Sequence, residues 1–203
     1  LLARVQKIAP KVRIVVGNLT HDTPHQLETG EVDLAMGFTV SIGAGFYQQK
    51  LFDEGFVCIA SRTHPRIREC LTPAELEKEF HVKILLSATA HSLVDKFLER
   101  QGVQRFFALE VPTFLGLGQL VASSNLLAIV PLRLGSIFTA ESDIQIVSLP
   151  LPLPKYAVNQ YWHDRYHRDP SNLWLRSVVY ETANSLPLQE GQQTYIDVPL
   201  TSD

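Results

Sequence analysis

Two histidines four residues apart, in His163-Asp164-Arg165-Tyr166-His167, are the first place where metal chemistry could be sought. On a helix that spacing puts both imidazoles on one face, as in the H-E-x-x-H pattern of zinc proteases. Here Asp stands where that pattern has its general-base Glu, no third ligand follows nearby, and Pro170 comes within a turn. A polar turn fits better than zinc, so neither a metal nor a cofactor is expected. Gly116-x-Gly118 and Gly43-x-Gly45 are too short for a dinucleotide fingerprint, and there is no Gly-Lys-Ser/Thr element. No G-x-S-x-G elbow presents a serine, and Cys58 lies inside an apolar, strand-like run. These motifs supply no catalytic residue, and the chain reads as a non-enzyme.

What remains is a set of hydroxyls, imidazoles and rings placed where strand patterns end. Asn18, Leu19, Thr20 and His21 follow one such run, and Gly37 and Phe38 follow the next. Ser87, Ala88, Thr89 and His91 precede the helix pattern at Ser92, Pro112-Thr113-Phe114 follows Val111, and Val130-Pro131 repeats the arrangement. Each alone is ordinary capping chemistry. Together, at equivalent places in two α/β units, they outline one cleft lined by hydroxyls, histidines, backbone N–H groups and phenyl rings. Such a cleft suits a small, flat anion or phenol. No Arg is clearly placed to pair with a carboxylate, which favours a phenol whose anion is read by histidine and amides.

The elements that must position these residues alternate along the chain. Leu1, Leu2, Val5 and Ile8 recur at helical spacing until Pro10, and the β-branched run Val12 to Val16 reads as a buried strand. Thr23-Pro24-His25-Gln26 opens a short helix with Thr23 as its cap, closing at Gly30, and a strand over Val32 to Met36 follows. Phe46 to Phe52 leads to a strand at Phe56 to Ala60, and Thr72-Pro73-Ala74-Glu75 is a second capping box. Strands are expected at Val82 to Leu86, Phe107 to Val111, Leu126 to Val130 and Ile144 to Leu149. Helices are expected over Leu93 to Leu98, Gly116 to Ser123 and Pro131 to Phe138. Leu149-Pro150-Leu151-Pro152-Leu153-Pro154 reads as a stiff connector. Tyr156 to Trp162 alternates like a strand, Asn172 to Ser185 is an amphipathic helix, and residues 187–203 read as a mobile tail. The alternation argues for a parallel α/β architecture, in which ligands bind beyond the carboxyl ends of strands.

Composition narrows the partners. The 203 residues carry 18 Lys and Arg against 21 Asp and Glu, a formal net charge of −3. That balance, with no run of Lys or Arg, argues against a chain that grips a phosphate backbone by itself. No apolar stretch is long enough to span a bilayer, and Leu1-Leu2-Ala3-Arg4 lacks a signal-peptide pattern. Two cysteines, Cys58 and Cys70, make no disulfide scaffold and point to a reducing, cytoplasmic setting.

Longer motifs carry a resemblance. Leu1-Leu2 with Ala9-Pro10, Gly30-Glu31-Val32-Asp33-Leu34-Ala35-Met36-Gly37, Leu51-Phe52, His64-Pro65, Leu71-Thr72 and Ala128-Ile129-Val130-Pro131 resemble the effector-binding domain of LysR-type transcriptional regulators over about residues 1–188. The closing stretch Trp162-His163-x-Arg165-Tyr166-x-x-Asp169-Pro170-x-Asn172-x-Trp174-Leu175-Arg176 is similar to the branch of nodulation regulators and of regulators of salicylate, nitroaromatic and chlorophenol catabolism. The resemblance implies a periplasmic-binding-protein-like fold of type II, with two Rossmann-like subdomains. The first takes residues 1–59 and 160–188 and the second 60–159, with crossovers near Phe56 to Arg62 and Tyr156 to Trp162. The family's winged helix-turn-helix precedes this domain and nothing here matches it, so DNA is expected as a partner only through a segment outside this chain. Self-association into dimers or tetramers is implied as well.

The resemblance also implies an effector pocket between the subdomains, on the loops already chosen by the strand-end argument. Its candidates are Asn18, Thr20, His21 and Phe38 from the first subdomain and Ser87, His91, Pro112, Thr113, Phe114 and Pro131 from the second, with Trp162 near the second crossover. Pro24 starts the first helix later than is usual in the family, which leaves open which of Asn18 to Thr23 face the pocket. The expected function is a regulatory domain that senses a small aromatic compound (a phenol, chlorophenol or hydroquinone, or a salicylate-like carboxylate) and, in the whole protein, controls aromatic catabolism genes. A transport-type solute-binding protein of the same fold is the alternative.

Overall fold

Phe56-Val57-Cys58-Ile59-Ala60 is an unbroken apolar run, the composition a strand needs when both its faces are covered. In the computed structural model, which describes residues 1–38, 42–85, 90–149, 151–185 and 195–197, that run forms β3 (Phe56–Ser61), buried at every position. Its alternate residues feed two cores. Phe56, Cys58 and Ala60 pack with Leu76, Val94, Leu98 and Ile129, whereas Val57 and Ile59 pack with Leu117, Val121, Val130 and Ile144.

Four strands flank it: β4 (Phe80–Ile84), β5 (Phe106–Val111), β6 (Leu127–Pro131) and β7 (Ile144–Val147). The order is β5-β4-β6-β3-β7. Helices α3 (Pro73–Lys78) and α4 (His91–Arg100) supply the first core, and α5 (Leu117–Ala122) and α6 (Leu132–Glu141) the second. The expected capping box holds α3: the Thr72 hydroxyl accepts the Glu75 N–H and the Glu75 carboxylate accepts the Thr72 N–H.

The other sheet has β8 (Leu153–His163) at its centre, antiparallel to both β1 (Ala35–Gly37) and β2 (Phe46–Glu54). Helix α2 (Thr23–Thr29) covers one face through Leu27 against Ala35 and Tyr161. On the other, α7 (Pro170–Asn184) sets Val179 and Ala183 against Leu51, and α1 (Leu2–Ile8) is tied to α7 by the Arg4–Glu181 ion pair.

Several expectations change here. The sheets are mixed rather than parallel: β4 is parallel to β5 and β6, but β3 is antiparallel to β6 and β7. The chain enters β3 straight from β2, with no helix to turn it round, and this sets the opposed direction. Val12 to Val16 forms no strand, and Val15 and Val16 are 78% and 88% exposed, because β-branched residues make a strand only where a sheet edge pairs with them. Asp22 rather than Thr23 precedes α2, and the Thr23 hydroxyl instead accepts the Thr20 N–H. The proline ladder is more than a connector: Leu149 and Leu153 enter the first core, and Leu153 and Pro154 already belong to β8. Within the expected tail, β9 (Tyr195–Asp197) runs parallel to Leu153–Lys155. Gly55 alone separates β2 from β3, and the return passes between Val147 and Leu153, so both crossings lie N-terminal to the stretches expected for them.

Two consequences are measurable. His81 is fully buried, its Nε2–H donates to the Leu76 carbonyl at 2.7 Å, and Nδ1 has no partner. Burial chiefly, with Arg105 nearby, lowers its pKa from 6.5 to about 4, although the Leu76 carbonyl and Glu79 oppose the shift. The unfolded chain therefore binds more protons between those values, and stability falls as pH drops through that window. Urea unfolding should show a loss of about 2 kcal/mol between pH 7 and 5 that His81→Leu abolishes; an unchanged acid slope in that variant refutes the assignment. Gly135 lets α6 lie against β3, since a Cβ there would stand 2.6 Å from Val57 Cγ2. Gly135→Ala should destabilise by about 1–3 kcal/mol despite its better helix propensity, read as a lowered Tm.

Candidate functional site

Strand direction alone decides which loops can meet. Because β4, β5 and β6 are mutually parallel, their C-terminal ends share one edge of the five-stranded sheet. That edge carries Leu85, Pro112 to Phe114 and Pro131. Antiparallel β3 begins there, with Phe56 opposite Pro131. In the other sheet β1 and β2 both run antiparallel to β8, so Phe38 after β1 and Glu54 at the end of β2 lie toward the same end. Gly55 joins the two edges, and Phe38 and Pro131 lie on either side of this crossing.

Aromatic packing marks the junction. Phe38 is buried and meets Tyr156 edge-on, with centroids 5.5 Å apart and planes at 78°. Tyr156 in turn lies 5.1 Å from Phe56. The Leu132 N–H donates to the Gly55 carbonyl at 2.9 Å, fixing Pro131 and the start of α6 against the crossing. Phe38 and Pro131 thus converge on the Phe56–Tyr156 pair.

The remaining candidates sit more openly. Asn18, Thr20 and His21 are exposed in the segment leading to α2. The Thr20 hydroxyl accepts the Asp22 N–H at 3.2 Å, and the Leu19 side chain lies 2.5 Å from where a Cβ on Gly37 would be. Only glycine at 37 lets this segment close onto the end of β1, beside Phe38. Pro112 and Thr113 are exposed, the Thr113 hydroxyl accepting the Leu115 N–H at 3.1 Å, while Phe114 packs half-buried on the second core. Ser87 lies outside the described residues, as does the side chain of His91, whose backbone begins α4.

Trp162 is not brought to this junction. Its indole N–H donates to His167 Nδ1 at 3.2 Å, the Arg176 guanidinium lies 4.0 Å over its ring, and Tyr47 stacks on both Trp162 and His167. The ring belongs to the packing between β8 and α7. The two histidines of the opening motif are likewise spoken for structurally. His163 Nδ1 accepts the Arg165 N–H at the start of a 3₁₀ turn (Asp164–Tyr166), and its ring meets Phe46 edge-on. Among the described residues no three His, Cys, Asp or Glu side chains gather as metal ligands. Burial pushes the Cys58 thiol up to about 12, which leaves it a core side chain rather than a nucleophile.

Sequence reading overlooked the charged group at the junction. Glu54 is buried, its carboxylate accepts the Gly55 N–H at 3.0 Å, and Arg133 Nε stands 3.9 Å away. The Arg133 guanidinium lies 3.7 Å over the Phe52 ring. Burial raises the Glu54 pKa, opposed by the Gly55 N–H, the Arg133 charge and the N–H groups of Arg133 and Leu132. Burial and the Glu54 charge raise that of Tyr156. The one available signal was a carboxylate directly before Gly55 and the apolar run of β3.

The LysR substrate binding domain family model matches residues 1–184. The transcriptional activator NahR of Pseudomonas putida is 36% identical over 155 residues, covering 76% of this chain and 52% of NahR. The activator NagR of Ralstonia sp is 33% identical over 186 residues, covering 89% of this chain and 60% of NagR. The chain therefore spans little more than half the length of either relative. Among solved structures, the regulatory domain of MexT, a transcriptional activator of Pseudomonas aeruginosa, superposes with a TM-score of 0.78 at 23% identity, covering 89% of each chain. The two-sheet α/β fold is thus that of LysR regulatory domains. On the family match and the NahR and NagR identities, the chain belongs to the LysR family of transcriptional regulators, as its substrate-binding domain and not as an enzyme.

Proposed function

We propose that this domain binds a small aromatic compound, a phenol or a salicylate-like carboxylate, between the facing edges of its two sheets. The whole protein would use that binding to control transcription of catabolic genes in the cytoplasm. The observation that carries the reading is the Phe38–Tyr156–Phe56 group at the crossing, with Pro131 against it. It offers an aromatic, apolar base beside the crossing. Asn18, Thr20, His21 and Thr113, exposed in loops that follow strands, would supply the polar partners for a phenol or its anion. Similarity to the transcriptional activators NahR and NagR supports a role in controlling transcription.

DNA would be contacted by a segment outside these 203 residues, since a net charge of −3 without a run of Lys or Arg does not suit gripping a phosphate backbone. Self-association would carry the signal between copies. The effector acts only through its differential affinity for two settings of the sheets.

Isothermal titration against phenol, salicylate, benzoate and aliphatic succinate tests the reading. One-to-one binding of at least one aromatic, with a Kd of about 1 μM to 1 mM, and none of succinate is expected. Thr113→Val should weaken the aromatic about three- to tenfold and Phe38→Ala at least about tenfold. Heat from succinate alone, or from none of the four, overturns it.

A further inference from the structure

The geometry points to a second binding site, on the α4 side of the five-stranded sheet beside its edge strand β5, that takes a single halide-sized anion. It shares no residue with the loops assigned to the effector. Val82 and Ile84 turn into the second core, so Lys83 between them faces the other way, toward α4. Arg105 directly precedes β5 and pairs with Asp95 of α4. Both cations gather on one ring: the Lys83 ammonium lies 5.3 Å and the Arg105 guanidinium 4.9 Å from the centre of Phe107. These four residues, with Val94 and Ile129, line a recess of about 290 Å³ including its mouth. Its enclosed part admits about one water-sized group.

The charges around the recess do not balance. Two cations line it against a single carboxylate. Among the described residues Lys83 forms no ion pair, although Glu110 stands beside it in register on β5. The Arg105 side chain is only 7% exposed, yet its one side-chain hydrogen bond goes to Asp95. A guanidinium carries further N–H donors. Those of Arg105 are neither bonded nor sealed in protein, and the recess is the space they border. Burial dominates the pKa shifts of Cys58 and His81, but the Arg105 charge acts on both. Asp95, itself 37% exposed, therefore leaves part of that charge uncancelled.

The class of ligand follows from charge, size and wall. Two cations and one carboxylate leave one positive charge, which a monovalent anion neutralises. The narrow space turns away sulfate and larger oxyanions, and the apolar walls of Val94, Ile129 and Phe107 strengthen the attraction for an ion that sheds its water readily. Chloride meets these conditions. It would accept N–H groups of Arg105 and Lys83 and so tie α4 to the β4–β5 edge. Asp95 competes with it for the same guanidinium, which gives the site a signature that packing alone would not produce.

Chlorine NMR line widths of the 203-residue protein test the site, with gluconate replacing chloride at fixed ionic strength. The excess width should saturate, with a Kd of about 1–50 mM. Lys83→Met should weaken binding at least about fivefold and Arg105→Met at least about tenfold. Asp95→Asn should tighten it about three- to tenfold, because the competing charge is gone. Should Arg105→Met fail to fold, Lys83→Met and Asp95→Asn decide. Broadening that never saturates, equal binding by wild type and Lys83→Met, or no gain in Asp95→Asn overturns the site. Acetate should displace chloride only at about tenfold higher concentration, and competition at equal concentration overturns the halide-sized assignment.

Discussion

Everything else in this domain hangs on the passage of one strand into another through Gly55. Because β2 runs into β3 through Gly55 and the chain returns between Val147 and Leu153, the two sheets are joined twice, and the first core, with Phe38, Leu153 and Tyr156 beside Phe56, spans the joint. β3 is buried on both faces, so its position is set by two cores at once. Groups beside the joint reach across it: Arg133 of α6 lies over Phe52 and beside Glu54 of β2.

This arrangement separates two kinds of polar residue. Those deep in the five-stranded unit do structural work: His64 is buried, its Nδ1 accepts the Arg66 and Ile67 N–H groups, and its Nε2–H donates to the Asn125 carbonyl. Glu79 is held by a two-bond fork from Arg66, 2.7 Å for each bond. Their hydrogen bonds are local and leave little for a ligand. Residues on the facing edges are exposed or satisfied by short turns, as Thr20 and Thr113 are, so their side chains stay available at little structural cost.

How much of the site was legible in sequence followed the range of the interactions involved. Loops after strands were found because strand ends are marked by local chemistry: Pro112 after Val111, Gly37 after Met36, Pro131 after Val130. Trp162 drew attention for its type and its nearness to a crossover, but its facing is decided by α7, through Arg176. Glu54, Arg133 and Tyr156 were passed over since nothing in their own neighbourhoods says that Glu54 and Arg133, far apart in the chain, end side by side.

By itself the sequence determined what short-range physics controls: the α3 capping box, the apolar run of β3, most element positions and, through its motifs, the family. It could not decide pairing. Strand direction, the unpaired state of Val12 to Val16 and the strand formed by Tyr195–Asp197 depend on which backbone edges meet, which no window of residues specifies. The mixed sheets, the one-residue joint between β2 and β3 and the Glu54–Arg133 ion pair beside it are likewise products of long-range packing, and only the tertiary structure decided them.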